Sequence, residues 1–229
     1  DTGLVPIEWY RPWYDVVVAA VGNGFHVVEA AGNGYQDLDS AVYSTGNGGH
    51  WPFLPQNNSG AVIVGAGAVP LSFFGTDTAR SRLDFSNYGS RLDLQGWGEF
   101  VVTTGYGRLH ISEGVNLYYD SAFAGTSSAS PIVAAAVALV ESRYETVYGG
   151  TMAPVTMRSL LKNTGTAQKV GKNPVSQKIG PLPNLNAALS FASHTLAAGT
   201  YQVGLSRTYQ FLTNVAAASA VNADTLDGA

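Results

Sequence analysis

The chain has 229 residues, 45% of them hydrophobic and only 12% charged, with 27 glycines and a formal net charge of −4. That balance excludes a disordered chain, and the length suits one sizeable core with an appendage. Cysteine is absent, which excludes a disulfide framework and thiolate metal sites, and no uncharged apolar stretch approaches the ~18 residues that span a bilayer.

From Arg11 to Val21, apolar residues recur at helical spacing at Trp13, Val16, Val17, Ala20 and Val21, with Pro12 at the start and Asn23-Gly24 at the end. These predict a helix with start and stop signals. The run Phe25 to Ala31 then reads as a strand buried on both faces of a parallel sheet. Glu29 interrupts it, and a carboxylate there is costly to bury unless paired or hydrogen-bonded. It serves either as a structural carboxylate, as a support for a nearby site, or as a general base. Helix followed by strand places Asn33 in the turn after the strand's carboxyl end, where open α/β sheets keep their ligands. A side-chain amide there can donate to an oxyanion.

Residues 34–60 are loop-rich, broken by Gly46-Asn47-Gly48-Gly49, Pro52, Pro55 and Asn57-Asn58. Asp37 and Asp39 in this loop offer oxygen ligands to a cation such as calcium, although two carboxylates fall far short of a coordination set.

Gly125-Thr126-Ser127-Ser128-Ala129-Ser130-Pro131 runs into an apolar stretch from Ile132 to Val140. Pro131 fits the first turn of a helix, where its missing N–H has no intrahelical partner to lose. The helix starts near Ser127, and a stretch with no polar face predicts that it is enclosed in a core. A serine at its entrance is either an N-cap or a nucleophile. For a nucleophile, the free N–H groups and the positive end of the helix dipole favour a developing oxyanion.

Residues 1–142 carry 13 acidic against 5 basic side chains, whereas residues 143–178 carry 6 basic side chains against Glu145. Arg143, Arg158, Lys162, Lys169, Lys172 and Lys178 lack interleaved aromatics and read as a solvated face, without a nucleic-acid partner. Pro154 opens a helix through Leu161, stopped by Gly165, and Asn184 opens another. Residues 1–191 form one domain, and residues 192–229 a linker and the start of a β-rich module, with alternation at Tyr201, Val203, Leu205 and at Tyr209, Phe211. Asn222 to Gly228 has the look of a linker or a repeat unit in surface and fibre proteins.

Together these segments resemble the subtilisin-like serine proteases, or subtilases. Ala30-Ala31-Gly32-Asn33 is similar to the family's oxyanion-hole asparagine motif, and Gly125 to Pro131 to its catalytic serine motif. Ala61 to Ala66, Phe85-Ser86-Asn87-Tyr88-Gly89 with Leu92-Asp93-Leu94, and Pro183 to Ala188 continue the resemblance in order, over roughly residues 8 to 191. It implies an α/β fold, a mostly parallel sheet with helices on both faces in a three-layer sandwich, here lacking its N-terminal portion. It also implies peptide-bond hydrolysis, with Ser127 as nucleophile, Asn33 in the oxyanion hole, and Ala30, Ala31 and Gly32 along the wall of a substrate pocket. No cofactor or catalytic metal is needed, structural calcium is a family habit, the substrate is a peptide or protein, and the location is extracellular or at the cell surface.

The family places its catalytic aspartate and histidine before the asparagine. None of His26, His50, His110 and His194 matches the histidine motif, and Asp1-Thr2-Gly3 stands too close to Asn33 for its likeness to the aspartate motif to count. Both residues are therefore expected in a missing N-terminal part, or on a partner chain, and the chain alone is expected to be inactive. The alternative is a non-catalytic subtilase-like scaffold in a surface or adhesive protein. The sedolisin relatives use a glutamate base, which keeps that role open for Glu29, but they carry an aspartate where this chain has Asn33.

Overall fold

A computed structural model describes residues 4–70, 78–109, 111–190, 199–203 and 207–211. Asp1-Thr2-Gly3, His110, His194, Leu205 and the segment 222–228 lie outside them. The chain divides into two compact units, residues 1–188 and 189–229.

The first unit is built on a three-stranded parallel sheet in the order β1 (Val28–Ala30), β2 (Val62–Gly67), β3 (Leu94–Trp97). Glu29 is opposite Ile63, and Ala66 opposite Gly96. All of β2 is buried, as a central strand covered on both faces should be. The long helix α2 (Thr126–Tyr148) packs across all three strands. It approaches β3 backbone to backbone, since a Cβ on Gly96 would stand 2.8 Å from the Ala129 Cα. Only glycine admits that approach. Alternation along the strands sends Glu29 and Ile63 to the other face. There Trp9, Ala31, Leu38, Tyr43, Phe53, Ile63, Leu92 and Ile179 form an apolar cluster, supplied by 3₁₀ turns and loops in place of crossover helices.

Three expectations change. The first helix exists, as α1 (Arg11–Gly22), but Trp13 and Val16 are 54% and 60% exposed and only Val17 is buried. Its inner face is set by Tyr14, whose hydroxyl donates to the Asn57 carbonyl at 2.9 Å, and by Val21, packed on Gly60.

The strand is shorter than expected, and its burial is inverted. Val28 and Ala30 are half-buried while Glu29 is buried, because β1 is the edge of the sheet among the described residues.

Finally, α2 is not enclosed. Val133, Ala136, Val137 and Val140 are buried, whereas Pro131, Ala134, Ala135, Ala138 and Leu139 are exposed, Leu139 at 55%. The helix continues through a polar last turn and a left-handed Gly149 at φ 73°, the usual glycine stop.

Before α2 stands an antiparallel hairpin of β4 (Val101–Leu109) and β5 (Tyr119–Phe123), which the sequence reading did not single out. α3 (Pro154–Thr164) runs three residues beyond the expected end. Asn184 caps α4 (Leu185–Leu189), its Oδ1 accepting from the Ala187 N–H at 3.1 Å. In the second unit, β6 (Gly199–Val203) and β7 (Arg207–Phe211) pair antiparallel, where the alternation of Tyr201, Val203, Tyr209 and Phe211 pointed.

Candidate active site

The entrance of α2 is set by Gly125, whose φ of 108° is open to glycine and strained for other residues. A Cβ there would also stand 3.0 Å from the Asn33 amide nitrogen. No side chain of the helix's own N-cap residue satisfies the first N–H groups. Asn33 does so from across the fold, its Oδ1 accepting from the Thr126 N–H and the Thr126 hydroxyl, each at 2.9 Å. A peptide N–H can only donate, so the acceptor must be the amide oxygen, and the orientation of Asn33 follows. The Thr126 Oγ1 in turn accepts from the Gly32 N–H at 3.1 Å.

The hydroxyls of this turn divide sharply. Ser128 donates to the carbonyls of Trp97 and Gly125, and Ser130 to that of Thr126. Thr126 and Ser128 are buried, at about 1% exposure each. Ser127 is exposed, and among the described residues its hydroxyl and backbone N–H have no partner. The same is true of the Asn33 Nδ2. Two unpartnered N–H donors and a free hydroxyl thus sit at the positive end of a 23-residue helix, a place suited to a developing negative charge.

Of the residues expected along the pocket wall, Ala30 and Gly32 are half-buried, and Gly32 has its Cα side against the Leu4 carbonyl. Ala31 has no exposed surface and belongs to the apolar cluster. A separate apolar cavity of about 270 Å³ adjoins the start of α2, lined by Val101, Val102, Phe123, Ser128, Pro131 and Ile132 among others.

The two described histidines lie elsewhere. His26 is half-buried, with Nε2 3.3 Å from Glu141 Oε2. His50 is buried, with Nε2 2.9 Å from the Glu8 carbonyl. Neither is bonded to Ser127.

Glu29 meets Glu8 and Arg91 below the sheet. Arg91 reaches Glu8 at 3.3 Å and Asp93 at 2.9 Å, and Ser59 donates a short hydrogen bond to Glu8. Burial, and then the charge of Glu8, push the Glu29 carboxyl up to about 9. With both groups ionised, the Glu29 oxygens have no donor and Glu8 Oε1 has only the ion pair with Arg91; a proton on Glu29 supplies a hydrogen bond, and the pair shares it.

Asp93 also takes Lys162 at 2.8 Å and Arg158 at 3.8 Å. Part of the basic run is therefore counter-charge to a buried carboxylate, and not the solvated face expected.

Asp37 accepts from the Asp39 N–H within the loop, and Asp39 accepts from the Ser90 N–H and hydroxyl of a distant segment. Among the described residues no three His, Asp or Glu side chains cluster as a metal site would require. No described helix is long and apolar enough to cross a membrane.

Parallel strands under a helix that begins at the serine motif, with an asparagine turn beside it, define an α/β protein of subtilisin-like architecture. The model of the subtilase family matches residues 9–181, and the chain belongs to that family. Among solved structures it is similar to the patellamide maturation protease PatA, with 22% identity, a TM-score of 0.54, and coverage of 84% of this chain and 58% of that one. A lanthipeptide protease shares 23% identity at a TM-score of 0.56, over 79% of this chain and 55% of that one. The epidermin leader peptide processing serine protease EpiP from Staphylococcus aureus shares 22% at 0.52, over 80% and 45%. The chain thus spans about half the length of these structures. No curated protein matches it.

Proposed function

We propose that the chain is the C-terminal part of the catalytic domain of a subtilisin-like serine endopeptidase. Ser127 attacks the scissile carbonyl, and the oxyanion of the tetrahedral intermediate accepts hydrogen bonds from the Asn33 Nδ2 and the Ser127 N–H. A histidine and an aspartate supplied by sequence upstream of this chain take the Ser127 proton and return it to the leaving amine. The same upstream part covers the apolar stripe of α2 that begins one turn after Ser127. Ala30 and Gly32 lie along the path of the residue before the cut.

One observation carries the reading. In the run Thr126 to Ser130, each hydroxyl but that of Ser127 is tied to the protein. A residue kept as a helix cap would be bonded to the helix, yet the cap of α2 is supplied by Asn33.

The test is a fluorophosphonate probe on the full-length protein. Stoichiometric labelling, lost in Ser127→Ala, is expected. A folded full-length protein that does not label would instead be the non-catalytic scaffold.

A further inference from the structure

Asn87 is fully buried and spends three of the four hydrogen bonds of its side chain on the segment around Asn33 and the fourth on Leu4. Its Oδ1 accepts from the Gly34 N–H at 3.0 Å and the Gln36 N–H at 2.8 Å. Its Nδ2 donates to the carbonyls of Ala31 at 2.7 Å and Leu4 at 2.6 Å. The Asn87 backbone N–H donates to the Gly32 carbonyl at 3.1 Å. Ala31 and Gly32 lie just before Asn33, and Gly34 and Gln36 just after it, so the peptide that carries the amide is clamped on both sides.

The orientation of Asn87 is unambiguous, because peptide N–H groups only donate and carbonyls only accept. Gly32 and Gly34 allow the close fit: a Cβ at Gly32 would meet the Asn87 Nδ2 at 2.8 Å, and one at Gly34 would meet its Oδ1 at 3.1 Å. Gly32 also has φ +91°, which permits the turn.

Asn87 is itself held rigidly. Ser86 donates to the Asn87 carbonyl at 2.9 Å and accepts from the Ala66 N–H of β2 at 3.0 Å. Arg82 gathers the carbonyls of Leu83, Asp84 and Ser86 and stacks 4.8 Å from the Tyr88 ring centre. The chain of support runs from sheet to Asn87, to the turn, to Asn33, and a hydrogen-bond donor must be fixed before the charge develops if it is to favour the transition state.

We propose that Asn87 is a positioning residue for the oxyanion-hole amide of Asn33, acting through the peptide groups of residues 31 to 36 and not by contact with substrate. The inference rests on the reading of Asn33 given above. Displacement of a transition-state donor by about 1 Å costs up to ~100-fold in rate, and losing the donor altogether costs ~10²–10³, a figure established for subtilisin itself and carried over to this relative.

The experiment measures kcat and KM on a peptide substrate for the full-length protease with Asn33→Ala, Asn87→Ala, the double variant and Asn87→Asp. Expected for Asn87→Ala is a loss of about 10- to 100-fold in kcat, with KM within about threefold of wild type. The double variant is expected to be no slower than Asn33→Ala, since a support has nothing left to position.

Asn87→Asp adds a signature. A carboxyl must be protonated to donate even its one hydrogen to the Ala31 or the Leu4 carbonyl, so its kcat relative to wild type should rise by about tenfold from pH 8 to pH 5.5. If Asn87→Ala gives no cooperative melt, this pH profile decides alone. An Asn87→Ala kcat within about twofold of wild type, losses that multiply in the double variant, or a flat Asn87→Asp ratio overturns the inference while leaving the role of Asn33 intact. If Asn33→Ala alone leaves kcat unchanged, the oxyanion reading falls and this inference falls with it.

Discussion

Three side chains of unremarkable type, Asn33, Thr126 and Ser127, owe their chemistry to which hydrogen bonds they have and which they lack. Asn33 became legible from its place after a strand, and Ser127 from the motif Gly125 to Pro131 around it. The network that orients them was not. Thr126 read only as part of the serine motif, and Asn87 as part of a family-like segment, because a hydrogen bond between residues 51 or more positions apart leaves no local pattern. Glu29 carries a prediction of its own. Its carboxyl has an ordinary value near 4.5 when exposed and about 9 when folded, so between those limits the folded state holds a proton that the unfolded state has released. Its contribution to stability is therefore full below about pH 4.5, declines as pH rises, and is gone above about 9, with a slope of at most ~1.4 kcal/mol per pH unit. Glu29→Gln, which keeps a donor toward Glu8, should flatten the fall in stability between pH 5 and 9 and leave the variant the more stable at pH 8. Urea melts at several pH values measure this; an unchanged slope in the variant would show that Glu29 does not hold the proton.

Elements were easier to find than to orient. Periodicity placed α1, but nothing in it distinguishes Trp13 and Val16, which are exposed, from Val17, which is buried. Its inner face is fixed by the 50–60 loop, far away in sequence. The apolar run Ile132 to Val140 predicted a helix enclosed on all sides, whereas its Pro131–Ala135–Leu139 side faces outward. We ascribe that face to the upstream part of the domain, and substitution there separates the two situations. Leu139→Asp in the 229-residue chain should change stability by less than about 0.5 kcal/mol, as at other exposed positions. In the full-length protein the same change should cost about 2–5 kcal/mol, the range for losing a buried leucine, with the burial of a charge added. Paired denaturant melts give both values, and equal effects would remove the proposed cover from α2.

At the scale of the whole molecule, the described residues hold no imidazole bonded to Ser127, and a serine without its base is a poor nucleophile. The 229-residue chain by itself should not hydrolyse a fluorogenic peptide above background, while the full-length protein should. Turnover by the chain alone, lost in Ser127→Ala, would mean that a base lies within it after all. The sequence by itself determined the subtilase class and the helices at Arg11, at the serine motif and at Pro154, and it offered Asn33 and Ser127 as candidates, because turn signals, helix starts and fixed motif spacings are local properties of a chain. Only the tertiary structure decided that β1 is the edge among the described residues with its carboxylate inward, that Asn33 caps α2 and frees Ser127, and that Asn87 clamps the turn that carries Asn33. Burial and hydrogen bonding between distant segments depend on three-dimensional packing, which local sequence patterns do not encode.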